Sequence, residues 1–210
     1  MRAWFRLQEE GLEHIPRTGP AIVACNHLSY LDPLTNASAV MRAGRRPRFL
    51  AKSELFHIPV VGLAFEGAKQ IPVARGSGDA TTALLAAEQA LADGEVVVIY
   101  PEGTVTERAD HLPMRAKSGV VRLSLATGVP ITPLASWGSQ AVWQKSGRGS
   151  LRLGRPVWTR VGPPIDLSPR RDEARDVGAL RAMTDDVMAV LTAMVEDLRA
   201  AYPKRWVADG

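Results

Sequence analysis

The feature that most limits what this chain can become is the run Val96-Val97-Val98-Ile99, which passes from Glu95 to Tyr100 without a polar residue. A strand with one face in water alternates apolar and polar side chains. An unbroken apolar strand must be covered on both faces, as in the interior of a parallel sheet. Parallel strands need crossover connections, and the neighbouring sequence supplies them. Residues 21–25, 48–52 and 130–136 read as further strands, and a third short strand within 67–75 ends in Arg75. Helix-like stretches at 33–43, 77–92 and 117–128 lie between them. This alternation specifies an α/β fold. It is a single domain over 1–210, with a mostly parallel or mixed central sheet flanked by helices and its site at the carboxyl ends of the strands.

The remaining segments are read less sharply. Residues 56–65 are apolar but broken by Pro59 and Gly62, and suit either a core helix or a lip dipping into lipid. Residues 151–161 suit one or two late strands. Residues 173–201 form a long amphipathic helix with Val177, Leu180, Met183, Val187, Leu191, Met194 and Leu198 on one side. At the start, Trp4, Phe5 and Leu7 among Arg2 and Arg6 suit an interfacial anchor or a packed terminal helix.

Composition narrows the function classes. The net charge of +4 fits an anionic partner such as a phosphate ester, a nucleotide-bearing thioester or an acidic lipid surface. The basic residues are too dispersed for a nucleic-acid reader. The one cysteine, Cys25, rules out an internal disulfide and a cysteine zinc cluster, and reads as a small buried apolar residue. His14, His27, His57 and His111 are scattered, with no HExxH, no Gly-x-Ser-x-Gly elbow and no P-loop. Gly76-Ser77-Gly78 lacks the third glycine of a dinucleotide fingerprint. With no signal peptide and no apolar run of about eighteen residues, a cytoplasmic protein is expected.

The chemistry-bearing stretch is Asn26-His27-Leu28-Ser29-Tyr30-Leu31-Asp32, at the exit of the first strand. Asp32 reads as the N-cap of the next helix, with Pro33 at its first position. On one straight helix, side chains five residues apart diverge by roughly 140°. His27 and Asp32 therefore touch only if the chain bends between them. In contact, Asp32 accepts a proton from one ring nitrogen and leaves the other with a lone pair for an alcohol proton. Lys52, Arg75 and Glu102 end near strand exits, with Thr104 and Lys117 close in sequence, so that cationic groups could grip a phosphate-bearing acceptor. Holding two reactants in this way can supply about 7–11 kcal/mol of a barrier.

Four of these stretches resemble motifs of the 1-acylglycerol-3-phosphate (lysophosphatidate) acyltransferases. Asn26-His27 through Asp32 is similar to their NHxxxxD motif, and residues 67–75, with Ile71-Pro72-Val73-Ala74-Arg75, to a second that ends in a phosphate-binding arginine. Pro101-Glu102-Gly103-Thr104 resembles the PEGT motif, and Val129-Pro130-Ile131-Thr132-Pro133 the VPxxP strand. All four occur in the family's order and span about residues 11–161.

The resemblance implies a glycerolphosphate acyltransferase-like fold. It implies that His27, oriented by Asp32, deprotonates the hydroxyl of a lysophospholipid, 1-acyl-sn-glycerol-3-phosphate above all. The alkoxide attacks an acyl thioester on coenzyme A or acyl carrier protein, giving phosphatidic acid without metal, cofactor or acyl-enzyme. Asn26, Arg75, Glu102, Gly103 and Thr104 would bind the acceptor, joined by Lys52 and Lys117. Where the third motif usually continues Arg-Ser, this chain has Val105-Thr106, which leaves room for another acceptor: a lyso-ornithine lipid, a glycolipid or another alcohol. A non-catalytic lipid- or thioester-binding relative is a further alternative. Family members often carry hydrophobic N-terminal helices. Here peripheral attachment to the inner face of the cell membrane would rest on Trp4, Phe5, Phe56 and the arginines 42, 45, 46 and 48, and would weaken as salt rises.

Overall fold

The computed structural model describes residues 4–73, 79–144, 146–147 and 149–206. The apolar run is β5 (Val96–Ile99), all of it buried. On one side it pairs in parallel with β2 (Ala21–Cys25), and on the other with β3 (Pro47–Lys52). A three-residue β4 (Ile71–Val73) adds in parallel beyond β3. On the far side β6 (Ile131–Trp137) runs parallel to β2, whereas β7 (Arg155–Val161) is antiparallel to β6. The edge strand is β1 (Phe5–Glu10), parallel to β7. The seven-stranded order is β1-β7-β6-β2-β5-β3-β4.

Pleating sorts the strand side chains into two cores. Ile22, Ala24, Val97, Ile99 and Ile131 face α3 (Asp79–Ala92), α4 (Gly119–Thr127) and α5 (Val177–Ala201). Ala21, Val23, Cys25, Val96 and Val98 face α1 (Asp32–Arg42), through Ala39 and Val40. Each buried Val, Leu or Ile is worth about 1.5–3 kcal/mol, so this double coverage is what makes the unbroken runs stable as strands.

The structure decides four points that the sequence left open or misread. The N-terminal segment is a strand and not a helix: Phe5 is buried beside Leu31, Val142 and Val157 as part of β1, and the Trp4 indole N–H donates to the Leu151 carbonyl. Residues 151–161 give a single strand, reversed against β6. Val177 is exposed, because it opens α5 one turn before the helix settles on the sheet. Residues 56–65 are not a core helix. A 3₁₀ turn (Ser53–His57) leads into α2 (Pro59–Gly67), whose Val60 and Leu63 are 80% and 72% exposed.

The arginine-rich loop also moves away from the role given to it. It joins the end of α1 to the start of β3, opposite the strand exits. Arg42 pairs with Glu9, Arg45 donates to the carbonyls of Pro16, Gly19 and Gly94, and Arg48 bonds the Lys69 carbonyl and pairs with Glu95. These three guanidiniums hold the chain to itself.

Candidate active site

The bend that the motif requires is built by backbone amides. β2 ends at Cys25, and buried Asn26 straps the exit to β6: its amide donates to the Ser136 carbonyl at 3.2 Å, and its oxygen accepts from the Ser136 N–H at 2.8 Å. The His27 N–H donates to Glu102 Oε1 at 2.8 Å, and its carbonyl accepts from the Thr106 N–H at 2.7 Å. The chain then turns, and Leu28 N–H and Ser29 N–H both donate to Asp32 Oδ2, at 2.6 and 2.8 Å. Asp32 therefore points back along the turn instead of capping α1.

That carboxylate also meets the imidazole. His27 Nδ1 lies 3.0 Å from Asp32 Oδ2. An oxygen already accepting two amides offers only lone pairs, so Nδ1 carries the proton and Nε2 the lone pair. Ser139 Oγ donates to Asp32 Oδ1 at 2.5 Å. Asp32 is fully buried, and its four donors offset the cost of a charge away from water. The His27 side chain is 14% exposed, enough for one ring edge to meet a ligand. Its face stacks on Tyr100, with centroids 4.1 Å apart and planes at 22°.

The loop after β5 supports the histidine from the other side. Both Glu102 carboxylate oxygens are engaged by amides: Oε1 by His27 and Oε2 by Met114, each at 2.8 Å. Glu102 thus ties the two loops together. Gly103 has φ +73, a left-handed turn that glycine adopts without strain. Lys117 Nζ stands 3.8 Å from where a Cβ on Gly103 would lie, and the Lys117 N–H donates to the Pro101 carbonyl. Exposed Lys52 ends β3 opposite Val73. Thr104 is half-buried, and Arg75 lies outside the described residues.

Burial raises the Cys25 thiol and the Tyr100 phenol well above their ordinary values, so both stay neutral beside the dyad. Burial also pushes the Glu102 carboxyl up to about 7, against the pull of the Met114 and His27 amides. Folded Glu102 therefore holds its proton to higher pH than an unfolded glutamate near 4.5. Its contribution to stability is complete below that value and lost as pH rises through about 7; by linkage the loss is about 3 kcal/mol. Urea midpoints should fall across this window for the wild type and stay flatter for Glu102→Gln. Parallel profiles would refute the assignment.

The sequence did not point to Ser139, Tyr100, Ser136 or Thr106 as parts of the site. Ser139 reaches Asp32 from 107 positions away, inside what reads as a polar loop. Tyr100 did carry a signal: an aromatic residue at the carboxyl end of a fully buried strand.

Residues 6–137 match the family model described as Acyltransferase. The chain belongs to the acyltransferase family. An uncharacterised protein of Mycobacterium tuberculosis is 33% identical over 152 residues, covering 68% of this chain and 40% of that protein. The 1-acyl-sn-glycerol-3-phosphate acyltransferase alpha of Bos taurus is 32% identical over 179 residues, covering 81% of this chain and 61% of that enzyme. This member of the family thus spans roughly half the length of these curated relatives. Its fold matches the crystal structure of the 1-acyl-sn-glycerophosphate acyltransferase PlsC of Thermotoga maritima with a TM-score of 0.70 at 24% identity, over 96% of this chain and 76% of that one. Among the described residues, no helix is long and apolar enough to cross a membrane.

Proposed function

We propose that this chain transfers a fatty acyl group from a thioester of coenzyme A or acyl carrier protein to the free hydroxyl of a lysophospholipid, with 1-acyl-sn-glycerol-3-phosphate as acceptor and phosphatidic acid as product. The observation that carries this is the 3.0 Å contact between His27 Nδ1 and buried Asp32 Oδ2, which leaves Nε2 as a base at the strand exit. Nε2 takes the hydroxyl proton, and Asp32 stabilises the imidazolium. The lipid oxygen forms a bond to the thioester carbonyl carbon. The tetrahedral adduct collapses, the carbon–sulfur bond breaks, and the imidazolium returns its proton to the leaving thiolate. The lipid attacks directly, with no acyl-enzyme, and the steps call for no metal or prosthetic group.

Lys52, Arg75, Gly103, Thr104 and Lys117 are the proposed contacts for the acceptor's phosphate. Asn26 and Glu102 act instead by holding His27, because their polar atoms are engaged by backbone groups. The proposed workplace is the inner face of the cell membrane, met peripherally through exposed Ile58, Val60 and Leu63 beside β3 and β4.

A second acceptor class has its own support. Val105 and Thr106 stand where the family usually has Arg-Ser, and both are buried, with Thr106 Oγ donating to the Leu112 carbonyl. Neither side chain is available to a phosphate. Purified protein, labelled palmitoyl thioester and a panel of acceptors distinguish the readings. Phosphatidic acid as the main product upholds the first, acylated lyso-ornithine lipid or glycolipid the second, and no acylated product on any acceptor refutes both.

A further inference from the structure

We propose that a groove between β1 and the C-terminal turn binds the 3′-phosphoadenosine diphosphate end of an acyl-coenzyme A donor. This rests on the acyl-transfer reading above and deepens it by choosing between two donors. The groove has two adjoining lobes of about 310 and 360 Å³, within the range of small-molecule sites. Arg6, Gln8, Arg152, Trp158, Arg205 and Trp206 contribute to its walls. The Arg152 and Arg205 guanidiniums lie 5.1 and 5.9 Å from the centroid of the Trp206 ring, and that of buried Arg155 lies 5.2 Å away.

The chemistry of this lining suits one kind of ligand. Guanidinium forks match phosphate oxygens, and indole faces stack on a purine. An acidic lipid headgroup would use the arginines but brings no ring to join them on the indole faces. The phosphopantetheine arm of a carrier protein would bring no purine.

The position also suits it. Phe5 of β1 lies opposite Arg155, and Trp158 of β7 opposite Trp137 at the end of β6. β6 and β2 are parallel, so the groove lies at the end of the sheet where His27 emerges. Two strand spacings, about 10 Å, separate β7 from β2. Leu28, next to His27, shares one apolar cluster with Trp137, Trp158, Tyr202 and Trp206, so packed side chains run from the groove toward the strand exit. A pantetheine arm is the kind of linker that would join nucleotide and thioester across it.

The test begins with binding, which needs no turnover. Wild-type protein should bind 3′,5′-ADP saturably and with quenching of tryptophan fluorescence. The double variant Arg6→Ala/Arg205→Ala, which changes two exposed side chains, should bind it at least about tenfold more weakly. Arg17→Ala/Arg46→Ala, at two exposed positions before β2 and β3 at the opposite end of the sheet, removes the same two charges and should bind as the wild type does. In kinetics, the wild type should prefer palmitoyl-CoA to its 3′-dephospho analogue in kcat/KM, and the double variant should lose that preference.

Several results would overturn the proposal: no saturable binding of 3′,5′-ADP, equal weakening by Arg17→Ala/Arg46→Ala, or capture of phosphatidylglycerol vesicles through Arg6 and Arg205 without nucleotide binding. Acyl transfer from carrier protein with no nucleotide binding defeats the groove but leaves the function standing. Nucleotide binding without acyl transfer to any acceptor does the reverse.

Discussion

His27→Ala should lower acyl transfer by about 10²–10⁴-fold at saturating substrates, the range for loss of a positioned general base. The loss should fall mainly on kcat, because the ring's proposed work lies in the proton transfer and not in holding the acceptor. The fold should survive. Asp32 keeps the Leu28, Ser29 and Ser139 donors after the ring is gone, and the His27 backbone keeps its bonds to Glu102 and Thr106. Circular dichroism and a urea midpoint near that of the wild type would establish this. A folded variant that retains activity within a few-fold would end the assignment of His27 as the base.

Asp32 should behave differently, because its removal damages fold and chemistry together. Asp32→Ala leaves two backbone amides, a serine hydroxyl and an imidazole without their common acceptor in a site closed to water. Each stranded buried donor costs about 1–3 kcal/mol, so the loss should reach several kcal/mol. If this variant does not accumulate, Asp32→Asn keeps the volume and still tests the point. An amide offers one acceptor oxygen where the carboxylate offers two, so an N–H must face a donor. We expect an unfolding free energy lower by about 1–3 kcal/mol and activity reduced nearly as far as in His27→Ala. Urea unfolding measures the first and acyl transfer the second. An Asp32→Asn protein with wild-type stability would show that the four hydrogen bonds do not carry the energy assigned to them.

What could be read in advance follows from how far apart the responsible residues are. β2 and β5 announce themselves in unbroken apolar runs, since covering both faces of a strand favours apolar residues at every position, whereas β6 carries Thr132 and Ser136 as well. The helices on those faces carry their own period. The contact of His27 with Asp32 was accessible because both ends of the turn lie within one short motif. β1 was misread although its alternation was present: Phe5 is buried and Arg6 exposed, in step with a strand. Aromatic and basic residues near a terminus looked like an anchor until Val142 and Val157 appeared as neighbours of Phe5. The reversal of β7 leaves no local mark, because direction is set by the partner strand. Glu102 shows the limit at the site. Its carboxylate read as part of the acceptor site, and the amides of His27 and Met114 that it accepts from lie 75 and 12 positions away.

Gly138 has φ +97, and a Cβ there would lie 2.5 Å from the Pro156 carbonyl and 2.8 Å from the Tyr202 hydroxyl, which itself donates to Pro156. The next residue is Ser139, the one that holds Asp32. The tail of the longest helix is thereby geared to the dyad through a joint too tight for any side chain. Loosening the last turn of α5 would slacken the serine before the sheet itself gave way, so the His27–Asp32 geometry is only as durable as that distant helix end.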